Sequence, residues 1–515
     1  MQNRGMSTEL VNFWTLSMLD GHTKSKATSH TNHSFDMASA GCWKCVTRAT
    51  PAQLIHNVTL RIPAATAAFS TTPTALKGGP VKKKTNAAGL AHAKAARDKA
   101  MKERGGKSLK IKKKPPPKPT GKPPAPGERK AMRKRIILSN SNALEVEGLQ
   151  DMDEKVLVDE KMVGKVVGLP NEVVDQLRAS EAFKITQPWG LFRRPAVLLR
   201  KESVMCSKML EEAANEKSTK RLVVDGDRAT GKSMVLLHAM ATAFVKGWVV
   251  LTLPEAQDIV SATTEYAPIP NTKPMLFSQN TYTAEWLART AKANQKVLDS
   301  LQLSQKHDLP IPVQSNISLT RLCELGARDP EIAWPMFQAF WAEITAAGRP
   351  PVLMTLDGMQ HIMANSAYRN ADYEVIHSHD LAVINHFIQY LSGEKAMPNG
   401  GAVVAATSRS HAPVSQSTNL AIVQQLQRQM GSEEITQRDP FEKKYDARAD
   451  KALQKIEVML LQGLSKEEAR GLMEYWAASG VLRQRVDERT VAEKWALAGH
   501  GVVGEIQRGA LMTRI

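Results

Sequence analysis

Apolar positions collect into short, regularly separated runs only from about residue 149 onward. Four of these runs read as strands: Arg221-Leu-Val-Val-Asp225, Trp248-Val-Val-Leu-Thr-Leu253, Pro351-Val-Leu-Met-Thr-Leu-Asp357 and Gly401-Ala-Val-Val-Ala-Ala-Thr407. Each is too short for a helix, and each is apolar throughout instead of alternating, as strands buried on both faces are. Helical or loop segments separate them, so the pattern predicts a parallel α/β sheet with cover on both sides. Residues 234–246 read as a helix stopped by Gly247 and set between the first two strands, as a parallel crossover requires. Past residue 412 the chain turns polar and helical. Residues 450–461 are amphipathic, and Ser465-Lys-Glu-Glu468 is a capping-box start to a helix reaching Ala478 and stopped by Gly480. Leu464, Ala469, Leu472, Met473 and Trp476 recur at helical spacing and form a packing face. The expectation is a small helical C-terminal domain.

Between the first strand and its helix lies Gly226-Asp227-Arg228-Ala229-Thr230-Gly231-Lys232-Ser233, which matches GxxxxGK[ST] in a strand-loop-helix setting. There successive backbone N–H groups can curl round phosphates, the lysine reaches the terminal phosphates, and the serine hydroxyl ligates Mg²⁺. Gly226 and Gly231 allow the tight turn. Asp357, at the tip of a neighbouring strand, is the candidate second metal ligand beside Ser233. Thr407 and Ser408 end the fourth strand, where a hydroxyl can sense the terminal phosphate or simply cap a turn. A hydrolytic site of this layout normally carries a second carboxylate next to the first, and here Gly358, Met359, Gln360 and His361 follow instead. No residue is assigned a catalytic role; at most the chain is a slow nucleoside triphosphatase. The segment 187–200 brings aromatics and Arg193, Arg194 and Arg200 close ahead of the loop, to line a base pocket or to dock on a partner.

Charge divides the chain sharply. Of 69 Lys plus Arg and 51 Asp plus Glu in 515 residues, 21 basic and three acidic residues lie within 77–135, leaving 48 of each elsewhere, so the whole net charge of +18 sits in one arm. That arm is rich in Pro, Gly and Ala and free of aromatics, so it is expected to be disordered by itself and to bind nucleic-acid phosphate without reading bases. A solvated linker or a nuclear import signal is the plainer alternative. Ahead of it, residues 37–97 hold no Asp or Glu while Lys44, Arg48 and Arg61 are spaced among small and apolar residues, the composition of a mitochondrial targeting leader. Met37 is a candidate start, and cleavage is expected between Arg61 and Lys77. Cys42, Cys45, Cys206 and Cys323 are too few and too scattered for a disulfide framework, which points to a reducing compartment. No apolar stretch free of charge is long enough to span a membrane.

The ordered set of Gln187-Pro-Trp-Gly-Leu-Phe192, the Gly226 to Ser233 loop, Val352-Leu-Met-Thr-Leu-Asp-Gly358, Gly400-Gly-Ala-Val-Val-Ala-Ala-Thr-Ser408 and Glu474-Tyr-Trp-Ala-Ala-Ser-Gly480 resembles the death-associated protein 3 family, GTP-binding proteins of the mitochondrial ribosomal small subunit. The resemblance implies an AAA-like P-loop NTPase fold and GTP or GDP, with ATP as the alternative, held with Mg²⁺. It places Gly226, Gly231, Lys232 and Ser233 on phosphates and metal, with Asp357 near the metal. It further implies residence in the mitochondrial matrix, in the head of the small subunit, with its rRNA, other mitochondrial ribosomal proteins and the large subunit across the interface as partners. The expected organisation is a targeting leader over 1–76, a disordered basic arm over 77–140, an N-terminal segment of the body over 141–195, a nucleotide-binding domain over 196–412 and the helical domain over 413–515. Two functions compete: a structural ribosomal protein whose nucleotide is a staple or slow switch, and a mitochondrial AAA-type NTPase acting on nucleic acid or protein.

Overall fold

The computed structural model describes residues 135–410 and 412–511. The stretch expected to be a targeting leader, the Cys42/Cys45 pair and all but the last residues of the basic arm lie outside this span.

A central sheet of five parallel strands organises the chain. The strands are β1 (Thr219–Gly226), β2 (Val249–Leu253), β3 (Val352–Asp357), β4 (Gly401–Ala406) and β5 (Glu457–Leu461). Their order across the sheet is β5-β1-β4-β3-β2. The four strands expected from the apolar runs are all present. Every residue of β2 and β4 is buried, which is why their sequences show no polar alternation. Val223, Leu251, Met354, Val403 and Val458 turn to one face, covered among others by helices Asn280–Ala293, Leu319–Arg328, Ala333–Ile344 and Ala382–Leu391. Leu222, Val224, Val250, Leu353, Val404 and Met459 turn to the other, under helices α1 (Lys201–Asn215) and α2 (Lys232–Val245). This is a three-layer α/β arrangement compatible with a P-loop-like fold.

Helix α2 is apolar nearly all round, and eleven of its residues are buried, so it runs inside the domain rather than across its surface. It ends as its sequence predicts: Gly247 at φ 70° lets Trp248 N–H return to the Ala243 carbonyl at 2.9 Å. The capping box at Ser465 and Glu468 is formed and starts α3 (Lys466–Ala478).

The reading of residues 450–461 as an amphipathic helix is overturned. Helix Ala447–Ala452 stops early, and residues 457–461 become the edge strand β5, in parallel register with β1 from Glu457 opposite Leu222 to Leu461 opposite Gly226. The apolar run Ile456-Glu-Val-Met-Leu-Leu461 is short enough to serve either period, and the free edge of β1 decides it by supplying backbone partners. The C-terminal helices that follow do not make a core alone. Leu464, Met473, Trp476, Val491 and Ile506 pack with Phe192 and with the antiparallel pair Val166–Gly168 and Ala196–Leu198, from the segment ahead of β1. Among the described residues no helix is long and apolar enough to cross a membrane, and Cys206 and Cys323 are free, buried thiols.

The approach to β3 is fastened by a buried carboxylate. Glu343 accepts from Ser304 N–H and hydroxyl at 3.0 and 2.6 Å, from Gln305 N–H at 2.9 Å, and pairs with His307 and Arg349 at 2.9 and 3.1 Å. Burial acts to raise its pKa, but hydrogen bonds from Ser304, His307 and Gln305 outweigh it and hold the carboxyl at about 2. A carboxyl depressed in the folded state stabilises the fold above its unfolded value of about 4.3, and that contribution is lost as pH falls toward about 2. Glu343→Gln is therefore expected to lower stability by roughly 2–3 kcal/mol at pH 7. The gap from wild type should shrink steadily below about pH 4 in urea unfolding curves, and a gap that is constant with pH would contradict the assignment.

Candidate functional site

The carboxyl end of β1 runs straight into the Gly226 to Ser233 loop, and the N-terminus of α2 closes it. At Gly226 there is no space for a side chain: a β-carbon would stand 2.4 Å from the Leu461 carbonyl oxygen of β5. Gly231 caps α2 at φ 102°, in a left-handed conformation, and Ala229 adopts φ 65° without being glycine. The loop carbonyls of Gly226, Asp227 and Thr230 are engaged by Lys232, the Thr230 hydroxyl and Arg200, and the N–H groups of Lys232 and Ser233 open the first turn of α2, where a helix offers them no acceptor of its own. Together with the positive end of α2 they form a cradle for an anion.

Lys232 is buried, and its ammonium donates to the Gly226 and Asp227 carbonyls at 2.7 and 2.6 Å. Burial pushes its pKa down and Arg409 adds to this, while Asp225, Asp357 and Asp227 act in the opposite direction. Thr230 closes the turn by donating its hydroxyl to the Asp227 carbonyl at 2.9 Å. Arg200 staples the loop from behind, with its guanidinium on the Thr230 carbonyl at 2.8 Å and the Gln462 carbonyl at 2.9 Å. Of the three arginines flagged between 187 and 200, this one reaches the loop. Arg193 donates to the Ser141 carbonyl and Arg194 pairs with Asp151, both away from it.

Asp357 ends β3 two strands from β1, and the sheet brings its Oδ2 within 2.7 Å of the Ser233 hydroxyl that donates to it. Adjacent ligands on an octahedral Mg²⁺ at 2.0–2.1 Å lie about 2.9 Å apart, so these two hard oxygens have the spacing of a shared metal edge. Among the described residues no group of three or more His, Cys, Asp or Glu could hold a metal; an ion here would draw its other ligands from phosphate and water, as Mg²⁺ prefers. Gly358 follows at φ 83°, with the His361 ring 3.4 Å from where its β-carbon would be. No carboxylate stands beside Asp357 in the sequence.

Thr407 and Ser408 lie at the tip of β4. The Thr407 hydroxyl donates to Asp225 Oδ1 at 2.6 Å, while Arg409 holds Oδ2 of the same buried carboxylate at 2.9 Å. Ser408 N–H donates to Gln360 Oε1 at 2.7 Å, which fixes Gln360 between β3 and β4. Asp227 and Arg228 are exposed on the outer turn of the loop.

Three features of the site were not anticipated from the sequence. Lys184 reaches Asp357 from the segment ahead of the loop, with Nζ 3.0 Å from Oδ2. Asp225 anchors Arg409 beneath the loop. The C-terminal helix α4 (Val503–Leu511) rests on the loop itself, with Gly504 N–H donating to the Ala229 carbonyl at 3.0 Å and with space for only a glycine, since a β-carbon would meet Ala229 Cβ at 2.7 Å. None of these follows a local spacing rule. Only the dense punctuation Gly499, Gly501 and Gly504 hinted that the backbone there approaches something closely.

A family model described as mitochondrial ribosomal death-associated protein 3 matches residues 197–509, which span all five strands, the loop and nearly all of α4. The small ribosomal subunit protein mS29 of Neurospora crassa is 46% identical over 481 residues, covering 93% of this chain and 99% of that protein. The protein of the same description from Schizosaccharomyces pombe is 22% identical over 361 residues, covering 68% of this chain and 72% of its own length.

Proposed function

The chain belongs to the mitochondrial ribosomal death-associated protein 3 family, and from that premise we propose that it is a structural protein of the mitochondrial small ribosomal subunit whose P-loop holds a purine nucleotide as a staple. The observation that carries the nucleotide half is the convergence of Lys232, Ser233 and Asp357 on a glycine-bounded loop that opens the N-terminus of α2 at the carboxyl ends of parallel strands. GTP or GDP is favoured over ATP by the family resemblance. In this reading the loop N–H groups and Lys232 hold the phosphates, and Ser233 and Asp357 hold Mg²⁺, which would neutralise phosphate charge when bound. Arg200, Asp225 and Thr407 keep the loop in shape, and Ser408 lies where the terminal phosphate can be sensed.

The ribosomal half rests on the names of the two relatives and on the charge of the chain. The basic arm over 77–135 suits rRNA phosphate, and the body presents its surfaces to neighbouring ribosomal proteins and, across the interface, to the large subunit. The leader directs the chain to the mitochondrial matrix. Bound nucleotide supports mitochondrial translation by stabilising the protein within the subunit, and turnover is slow or absent because Gly358 stands where a water-polarising carboxylate is wanted.

The test pairs two measurements on material from mitochondria. The protein is expected to stay with the small subunit through a high-salt sucrose gradient and to release about one purine nucleotide per chain on denaturation. Loss from the subunit at high salt, combined with turnover of several nucleotides per second, would replace this reading with that of an AAA-type NTPase.

A further inference from the structure

The ammonium of Lys184 shares a carboxylate oxygen with the proposed metal site. Asp357 Oδ2 accepts from the Ser233 hydroxyl at 2.7 Å and lies 3.0 Å from Lys184 Nζ, so one oxygen serves both. The lysine is not a loose surface cation that happens to fall there. Its ammonium also donates to the Pro254 carbonyl at 2.6 Å, beyond the end of β2, and both Lys184 and Asp357 side chains are largely covered. Its backbone is clamped as well: Lys184 N–H and the Trp189 indole both donate to Gln187 Oε1, at 2.7 and 2.6 Å. Trp189 and Phe183 are buried edge to face at 5.1 Å, and Gln187 Nε2 lies 3.1 Å from the sulfur of Met234 on α2. The lysine is thus held in register with the very helix that presents Ser233.

A positive charge bound at this oxygen does two things. It supplies, from the chain, part of the neutralisation that phosphates and Asp357 would otherwise require from a divalent ion. It also repels a divalent ion approaching the same oxygen, because the two cations would stand within a few ångströms of each other in a poorly solvated cleft. We propose that Lys184 is a resident counter-cation of the nucleotide site, one that makes nucleotide binding only weakly dependent on Mg²⁺. This rests on the reading of the loop as a nucleotide site, and it assigns Lys184 as a further binding residue of that site.

The experiment uses the full chain stripped of nucleotide and a fluorescent GDP analogue, with affinity measured in millimolar Mg²⁺ and in excess EDTA. For wild type the affinity is expected to fall less than about tenfold on chelation. For Lys184→Met it should fall about a hundredfold, and Lys184→Arg, which retains the charge, should behave as wild type. Half-saturating Mg²⁺ should also drop about tenfold in Lys184→Met, since its competitor has gone. Lys184→Gln serves as a second uncharged variant if the methionine variant does not fold, and a lysine that only braces the fold would change stability in every buffer without altering the ratio of the two affinities. Equal Mg²⁺ dependence in wild type and the uncharged variants overturns the role of Lys184 while leaving the nucleotide site intact. Failure of wild type to bind the analogue in either buffer overturns the nucleotide reading itself.

Discussion

Lys232→Ala is expected to leave the purified chain almost without nucleotide and to lower its melting temperature by roughly 10 °C. The lysine lies inside the loop, bonded to the two carbonyls that shape it, and burial already disfavours its charge. That charge is tolerated because anions surround it, and phosphate would be the strongest of them. Alanine removes the only cation of the loop that points inward, takes the Lys232 donor from the Gly226 carbonyl and leaves the Asp227 carbonyl to the Thr230 hydroxyl. A ligand present at about a thousand times its dissociation constant stabilises the native state by roughly 4 kcal/mol, and each kcal/mol corresponds to roughly 2–4 °C in a domain of a few hundred residues. Chromatography of the nucleotide released by acid, alongside a thermal melt with and without added GDP, measures both quantities. Added GDP should raise the melting temperature of the wild type and leave the variant where it is. A variant that retains wild-type nucleotide content would remove Lys232 from the site. Ser233→Ala is expected to act in the same direction but less strongly, because the phosphate cradle survives and only a metal ligand is lost.

Gly226→Ala is expected to fail for a different reason, and more completely. The added β-carbon would come within 2.4 Å of the Leu461 carbonyl oxygen, a distance that only movement of β5 can relieve. β5 is an edge strand bonded to β1 alone, with Leu461 paired opposite Gly226 itself. Moving it loosens Gln462, which Arg200 uses to brace the loop, and the chain that leads to the C-terminal helices. A cost of roughly 3–5 kcal/mol is in the range of the most damaging core substitutions. The expected result in urea unfolding is a midpoint lowered even in saturating nucleotide, whereas Lys232→Ala should differ from wild type mainly when nucleotide is present. A Gly226→Ala chain of wild-type stability would show that β5 does not press on the loop.

The parts of this fold that were legible beforehand are those whose cause is local. β1 to β4 appeared within a residue or two of their ends because strands buried on both faces read as near-continuous apolar runs. The stop of α2 at Gly247 and the start of α3 at Ser465 follow from backbone groups that neighbouring residues must satisfy. The place of the loop between β1 and α2 was readable because the pattern of glycine, lysine and a hydroxyl at fixed offsets marks a strand-to-helix turn. β5 was not readable, since a six-residue apolar run following a helical turn fits either period, and the open edge of β1 settles the matter from far away in the chain. The reading of segment 187–200 as a group was likewise too coarse: composition cannot tell Arg200, which grips the loop, from Arg193 and Arg194, which do not.

The sequence by itself therefore determined that this chain carries a parallel α/β body with a P-loop motif, a concentrated basic arm and a stretch over 37–97 free of acidic residues, and the motif set pointed to the family. The tertiary structure alone decided that β5 closes the sheet beside β1, that Gly504 rests on Ala229, that Asp225 ties down Arg409, and that Lys184 meets Asp357 at the oxygen shared with Ser233. The physical reason is the same in each case. Periodicity and turn chemistry act over a few residues, whereas a contact between distant segments exists only once packing has fixed which strand edges and side chains face one another.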